Sequence, residues 1–220
     1  TQDRMDEYLY YSSVAQTVGV EVKFLTPEQV KEAWPMCDTS GLIGAIQHPD
    51  DGYIQPADLT QALAKGARTR GAQIQRNTKV LNILQKEDDT WFVETDKGVI
   101  ECEHVVSCSG NFARKTGEMV GLDIPFMPVE HQYIVTDPHP EILERKKLGL
   151  PEQAVLRESD AGYYLREEAG GFILGPYEDG APCCYVDGPS DDSEYELFNG
   201  DLDRLMPVSY THLTLPTSTH

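Results

Sequence analysis

The chain has few basic residues for its size. It contains 18 lysines and arginines against 37 aspartates and glutamates in 220 residues, which gives a formal net charge of -19. Nucleic acids and anionic membrane surfaces both attract proteins through basic patches. This balance therefore excludes a nucleic-acid-binding protein and argues against one that binds the membrane surface. Any site for a carboxylate ligand needs arginines close by, because the overall acidic field repels such a ligand.

Cysteine is scarce and is not arranged as a metal or disulfide framework. The chain has no C-x-x-C pair, and its five cysteines are Cys37, Cys102, Cys108, Cys183 and Cys184. We expect reduced thiols in a cytoplasmic protein, and no metal site. No apolar run approaches the roughly 18 residues that a membrane span needs. No signal peptide is visible at Thr1.

The spacing of apolar residues predicts a mixed α/β fold. We expect helices at residues 4–17, 26–34 and 56–70, and a further helix that begins near residue 191. The strands expected in the first half are residues 21–25, 73–74, 78–83, 91–95, 99–103 and 105–109. In the second half, strands are expected at residues 132–136, 154–158, 163–167 and 171–176. This order is typical of the second half of a nucleotide-binding α/β domain, followed by a mainly antiparallel domain.

The helix at residues 26–34 has a clear start signal. Thr26 can cap the helix, Pro27 suits the first helical position, and Gln29 can complete a capping box. Pro35 ends the helix directly after Trp34.

A strand followed by a glycine turn is the most informative local pattern. Residues 105–107 (VVS) lead into the turn CSGNFA, where Gly110 lets the backbone approach a ligand closely. The sequence EHQY at residues 130–133 then opens the next strand and presents a histidine and a phenol.

Five segments in this order resemble the flavin-dependent amine oxidases of the dimethylglycine and sarcosine dehydrogenase group. They are DGYIQPADL at 51–59, TKVLNI at 78–83, CSGNF at 108–112, EHQY at 130–133 and GYYLRE at 162–167. The resemblance covers residues 1–207 and implies an internal part of such an enzyme. Residues from 1 to about 124 then belong mostly to an FAD-binding Rossmann-like domain, and about 125–207 to a mainly antiparallel β substrate domain. Residues 208–220 (VSYTHLTLPTSTH) depart from this pattern, and we expect them to be a non-native tail.

Two catalytic motifs are absent from the chain. The G-x-G-x-x-G turn, at which such a flavoprotein holds the FAD pyrophosphate, does not occur, so we expect that turn to precede Thr1. The G-x-S-x-G elbow is also missing, which argues against an α/β-hydrolase.

The resemblance implies that His131 and Tyr163 are the catalytic candidates and that Val80, Ser109, Gly110 and Tyr163 are the FAD-binding candidates. Strand position and side-chain chemistry add Tyr133, Arg157 and Arg166 as the substrate-binding candidates. Histidine titrates near neutrality and can take a proton from a substrate amine. Tyr133 is expected on the same strand face as His131. Arginine can hold a carboxylate through two parallel hydrogen bonds.

The implied function is oxidation of an N-methyl amino acid such as dimethylglycine or sarcosine. Hydride passes from the N-methyl carbon to FAD, and the resulting iminium is hydrolysed or its carbon is passed to tetrahydrofolate on a further domain. Two alternatives are another amine or amino-acid oxidase of the same superfamily, and a non-catalytic acidic binding domain.

Overall fold

The computed structural model describes residues 1–193 and 196–212. In chain order the elements are α1 (Gln2–Thr17), β1 (Lys23–Leu25), α2 (Pro27–Ala33), β2 (Ala45–Gln47), α3 (Pro56–Thr69), β3 (Val80–Gln85), β4 (Trp91–Thr95), β5 (Gly98–Cys102), a 3₁₀ turn (Gly110–Phe112), α4 (Ala113–Glu118), β6 (Ile134–Val135), α5 (Pro140–Lys147), β7 (Leu156–Glu158), β8 (Tyr163–Glu168), β9 (Gly171–Pro176) and α6 (Leu202–His212). All strand pairs among these elements are antiparallel. The predicted mixture of helices and strands is confirmed, with antiparallel sheets.

The chain divides into two compact units. Unit 1 contains Thr1–Ile54, His131–Asp179 and Asp201–His220, the last described to residue 212. Unit 2 contains Gln55–Glu130 and Gly180–Gly200. This division differs from the predicted one near residue 125, because the first 54 residues pack with the sheet of residues 131–179. The assignment of the two parts to an FAD domain and a substrate domain stays a prediction.

Helix α2 in unit 1 forms as its sequence predicts. The Thr26 hydroxyl accepts a hydrogen bond from the backbone N–H of Gln29 at 3.4 Å, and the Gln29 side chain accepts one from the Thr26 N–H at 2.9 Å. The helix ends before Trp34, whose ring stacks on Phe172 with centroids 5.7 Å apart. The Trp34 indole N–H donates to the carbonyl of Ala154. The end of the capped helix therefore places Trp34 against the sheet of this unit.

A four-stranded sheet with the order β6-β9-β8-β7 forms the centre of unit 1. The register pairs Tyr163 with Pro176, Tyr164 with Gly175 and Leu165 with Leu174. Alternate residues of these strands point to opposite faces, so one face packs on the core and the other lies away from it. The strands predicted at residues 163–167 and 171–176 are confirmed here, and the strand predicted at 154–158 forms at Leu156–Glu158.

One face of this sheet lies on the hydrophobic core of unit 1. The buried members of the core cluster are Trp34, Ile142, Tyr163, Leu165, Phe172, Leu174 and Val208. Leu174 is fully buried, and α6 brings Val208 into the same cluster. Val208 falls within the segment 208–220 that was expected to be a non-native tail. That expectation stays a prediction, and residues 213–220 lie outside the described part of the chain.

Unit 2 contains α3 and a three-stranded meander, β3-β4-β5. The hairpin turn between β4 and β5 occurs where Asp96 and Lys97 predict it. The strand predicted at residues 105–109 is not formed: it belongs to none of the described sheets, and Val106 is 82% exposed. The strand at 73–74 is also not formed. An apolar segment becomes a buried strand only where neighbouring strands pair with its backbone.

The last helix begins later than its sequence predicts. Residues 191–193 and 196–200 are not helical, residues 194–195 lie outside the described part, and α6 starts at Leu202. Asp191, the expected helix start, instead forms ion pairs with Lys79 at 2.9 Å and Lys115 at 3.4 Å. The segment forms a turn, in which the Ser193 N–H donates to the Ser190 carbonyl at 3.0 Å. Among the described residues, no helix is both long and apolar enough to cross a membrane.

Candidate active site

The face of the four-stranded sheet that lies away from the core presents polar and aromatic side chains. By alternation and register, this site face contains Arg157 on β7, Tyr164 and Arg166 on β8, and Ile173 and Gly175 on β9. Arg157 pairs with Tyr164, and Tyr164 pairs with Gly175, so the three residues form one row across the sheet.

Three aromatic rings meet at the end of this row. The His131 ring stacks on Tyr177 with centroids 5.3 Å apart and an interplanar angle of 20°. Tyr164 lies 6.1 Å from the His131 ring and 5.7 Å from the Tyr177 ring, again measured between centroids. Such separations are those of rings in direct contact. The structure therefore brings an imidazole and two phenols together at the edge of the site face.

Tyr164 is the half-buried member of this aromatic set. Burial raises the pKa of its phenol, and the neighbouring Tyr177 and Tyr133 raise it further, while Arg166 and Arg157 act in the opposite direction. A tyrosine phenol is already protonated at neutral pH, and an upward shift of its pKa leaves it so; Tyr164 can therefore donate a hydrogen bond. Tyr133, predicted to bind substrate, is thus close enough to Tyr164 to influence its ionisation.

The two candidate arginines have different surroundings. Arg157 is exposed, has no ion pair among the described residues, and places its guanidinium carbon 5.6 Å from the centre of the Tyr177 ring. Arg166 forms an ion pair with Glu168 and donates to the carbonyl of Glu167 at 3.0 Å. Its guanidinium also lies 4.3 Å from the centre of the Tyr53 ring. Of these two arginines, Arg157 is therefore the one whose guanidinium has no carboxylate partner among the described residues.

The structure does not place Tyr163 with this group. Tyr163 is 9% exposed and belongs to the core cluster, on the opposite face of β8 from Tyr164. Burial raises its pKa to about 12, and the charge of Glu158 adds to the effect.

Sequence reasoning selected Tyr163 and Arg166 together, although residues three apart on a strand lie on opposite faces. Tyr164 and Arg166 are two residues apart on β8 and therefore share a face, so strand alternation could have identified Tyr164 as the partner of Arg166. Tyr177, which sequence reasoning also missed, directly follows β9.

The candidate FAD contacts belong to unit 2. Gly110 begins the 3₁₀ turn with a left-handed φ of +55°, and, apart from Gly110 and its chain neighbours, no atom of the described residues lies within 4 Å of the position that a Cβ would take. The Ser109 hydroxyl lies 2.9 Å from that of Ser107, and the Ser109 carbonyl accepts from the N–H of Phe112. Val80 is 38% exposed at the first position of β3. Open backbone around a glycine turn fits the close approach of a flat cofactor.

Comparison with known proteins identifies the family. The family described as FAD dependent oxidoreductase matches residues 1–216, and the chain belongs to this family. The chain is 35% identical over 210 residues to the mitochondrial dimethylglycine dehydrogenase of Rattus norvegicus. It is 37% identical over 209 residues to 4-methylaminobutanoate oxidase (formaldehyde-forming) of Paenarthrobacter nicotinovorans. The matches cover 93% and 94% of this chain, but only 24% of either relative.

A solved structure shows the same fold. The crystal structure of L-proline dehydrogenase from P. horikoshii matches 96% of this chain and 52% of its own, with a TM-score of 0.74 and 27% identity. The resemblance to the dimethylglycine dehydrogenase group is thereby confirmed, as are FAD as the cofactor of the family and the fold class. The family and its dehydrogenase relatives are FAD-dependent enzymes of amino-acid oxidation.

Proposed function

We propose that this chain supplies the substrate-binding surface of an FAD-dependent enzyme that oxidises an N-methyl amino acid such as dimethylglycine or sarcosine. The observation that supports this most directly is the site face. There Tyr164 lies beside Arg157 across the strand pair, and its ring also lies close to the stacked rings of His131 and Tyr177. An imidazole, a neutral phenol and a free guanidinium are the groups that an amino-acid amine and carboxylate require.

FAD, when bound, supplies the hydride acceptor for the substrate carbon next to nitrogen. We propose Val80, Ser109 and Gly110 as residues that hold it, in agreement with the open glycine turn. The remaining chemistry belongs to side chains of this chain. It consists of orienting the substrate and removing the proton of its ammonium group, because a protonated amine has no lone pair to stabilise the developing iminium.

His131 is the proposed acceptor of that proton. Its ring is exposed at the edge of the site face and is held by stacking on Tyr177, so one nitrogen can meet the substrate while the orientation is kept. A neutral imidazole accepts the proton from the ammonium nitrogen and becomes imidazolium, which releases the proton to solvent.

Tyr164 takes the role that the sequence assigned to Tyr163. Its phenol is neutral, lies beside the His131 ring and can donate a hydrogen bond to a substrate oxygen or to the imidazole. Arg157 is proposed to bind the substrate carboxylate, because its guanidinium has no ion pair among the described residues. Arg166, held by Glu168 and Tyr53, is proposed to support Tyr164 rather than to bind substrate.

The substrate could also be another amino acid with an alkylated nitrogen. One relative is named for 4-methylaminobutanoate and one solved neighbour for L-proline. 4-Methylaminobutanoate has a longer carbon chain between nitrogen and carboxylate than dimethylglycine, so the position of Arg157 relative to His131 bears on that choice. Proline has the same spacing as dimethylglycine and differs in the ring that includes its nitrogen. Transfer of the one-carbon unit to tetrahydrofolate on a further domain remains part of the proposal. The cytoplasmic location stays a prediction, and the rat relative is named as mitochondrial.

The function is tested by anaerobic mixing of the FAD-loaded protein with dimethylglycine, sarcosine, 4-methylaminobutanoate and proline. We expect rapid bleaching of the flavin absorbance with dimethylglycine or sarcosine. Bleaching only by another of these amines would replace the substrate assignment. A flavin that no amine reduces would favour the non-catalytic binding domain.

The role of His131 has its own test. His131→Asn is expected to slow flavin reduction by roughly 100-fold at neutral pH, in the range of general acid–base contributions. The matched control is His104→Asn in an exposed segment of unit 2, which should keep the parental rate. Equal rates for both variants would remove His131 from the mechanism.

A further inference from the structure

Gly175 lies directly under the Tyr164 ring. The two residues are partners across β8 and β9, and a Cβ at position 175 would overlap the Cε1, Cζ and hydroxyl oxygen of Tyr164. Real Cβ atoms essentially never approach other atoms so closely. The phenol end of Tyr164 therefore lies directly against the backbone of Gly175.

Backbone conformation does not explain this glycine. Gly175 is the fifth residue of a fully buried strand and lies outside the left-handed region that favours glycine. A glycine inside a strand costs conformational entropy and packs no side chain, so it marks a place where another group comes close to the backbone. Here that group is the Tyr164 ring.

The direction of the Tyr164 ring decides what the phenol can contact. Side chains on strands ordinarily stand roughly perpendicular to the sheet. Tyr164 instead lies across its neighbouring strand, within 5.7 Å of Tyr177 and 6.1 Å of His131, ring centre to ring centre. Because β9 leads directly into Tyr177, the strand that provides the space also carries the ring against which Tyr164 rests.

We infer that Gly175 is a positioning residue for the reaction: its missing side chain leaves the space into which Tyr164 extends across β9 and so places the phenol beside His131. This inference rests on the proposed function, in which Tyr164 meets the substrate. Any side chain at position 175 lifts the ring away from the sheet. The phenol then loses its contacts with the imidazole and with Tyr177, and it becomes more exposed to water.

The first test measures Tyr164 itself. In FAD-loaded protein with ¹³Cζ-labelled tyrosine, the Tyr164 resonance is assigned by its loss in Tyr164→Phe and is followed against pH. Gly175→Ala is expected to lower the pKa of Tyr164 toward its ordinary value, because the lifted phenol is better hydrated. The groups around it, Tyr133, Tyr177, Arg157 and Arg166, remain the same in both proteins. An unchanged Tyr164 titration in Gly175→Ala would overturn the inference.

The second test is a double-mutant cycle with flavin reduction and thermal unfolding as readouts. Gly175→Ala alone is expected to slow reduction by roughly 100-fold, as for a misplaced catalytic group. In a Tyr164→Ala background the same substitution should change neither the rate nor the melting temperature, because no ring remains to be displaced. Ile173→Val, on the same strand and face, is the control and should act equally in both backgrounds.

The cycle also separates the possible failures. Equal effects of Gly175→Ala with and without the Tyr164 ring would show a merely structural glycine and overturn the inference. If Gly175→Ala alone does not fold, Gly175→Ala/Tyr164→Ala should fold, and failure of both would overturn it as well. If Tyr164→Ala leaves reduction unchanged, the proposed catalytic role of Tyr164 fails, while the NMR titration still reports whether Gly175 positions the ring.

Discussion

Two consecutive tyrosines occupy opposite environments in strand β8. Tyr163 packs in the core of unit 1, and Tyr164 faces His131. Their chemical difference follows from this placement: burial raises the pKa of Tyr163 to about 12, whereas Tyr164 is half-buried and close to two other phenols and two guanidinium groups. Only the second tyrosine can meet a ligand on the site face.

The buried phenol of Tyr163 should make the protein sensitive to alkali. Its folded pKa of about 12 is higher than the value of 10.0 for an unperturbed tyrosine, so the folded state binds the proton more tightly. The resulting stability is fully present below pH 10 and is lost as pH rises through about 12. Between pH 10 and about 12, the unfolding free energy of the parent should fall by roughly 2–3 kcal/mol more than that of Tyr163→Phe.

Urea unfolding at intervals between neutral pH and pH 12 measures this difference. Tyr164→Phe is the comparison, since its half-exposed phenol should produce a smaller difference. Parallel stability curves for the parent and Tyr163→Phe would contradict the burial of this phenol.

At the scale of elements, the local sequence predicts a helix or strand correctly where the residues that stabilise it are close to one another in the chain. Helix α2 begins at its predicted cap because Thr26 and Gln29 bond to each other's backbone. The segment 105–109 has a strand-like sequence but is not a strand, because a strand needs partners from elsewhere. Asp191 could cap a helix, yet it pairs with Lys79 and Lys115 instead.

The capping box of α2 should contribute measurably to the stability of unit 1. Thr26→Ala removes the side-chain acceptor for the Gln29 N–H and should cost roughly 1 kcal/mol. The matched control is Gln55→Ala: Gln55 occupies the cap position of α3, also before a proline, but makes no capping hydrogen bond with its side chain. Chemical denaturation followed by tryptophan fluorescence, from Trp34 in unit 1 and Trp91 in unit 2, measures both variants. Equal costs at the two caps would show that the box adds nothing.

At the scale of the whole molecule, unit 1 is assembled from segments far apart in the sequence. Trp34, Leu165 and Val208 belong to one core cluster, although they come from the first, middle and last parts of the described chain. Because this core covers one side of the sheet, the site face is the side that remains available to a ligand. The core also gives a native-like packing position to a residue in the predicted tail.

The position of Val208 can be tested directly. Val208 is 8% exposed in the core cluster, so Val208→Ala should cost roughly 1–2 kcal/mol for the two lost methyl groups and the space that they leave. Leu202→Ala on the same helix is the control; Leu202 is 70% exposed, and its loss should cost no more than about 0.5 kcal/mol. Thermal unfolding of the three proteins gives both values. No cost for Val208→Ala would favour the expectation that residues 208–220 are a non-native tail.

The sequence by itself determined the elements whose contacts are local: the capped helix α2, the hairpin at Asp96 and Lys97, and the strands around Tyr164. It also placed His131 among the candidates through its resemblance to a flavoenzyme motif, Tyr133 through strand alternation, and Arg157 and Arg166 through the ability of arginine to bind a carboxylate. Only the tertiary structure decided which face of β8 meets the core, and hence that Tyr164 rather than Tyr163 lies beside His131. Alternation along a strand defines two faces but does not say which one is buried. The pairing of Tyr164 with Gly175, by contrast, is local. Glu168 pairs with Gly171 across a two-residue turn, Ala169 and Gly170, and the positive φ values of both turn residues fix the register of this hairpin.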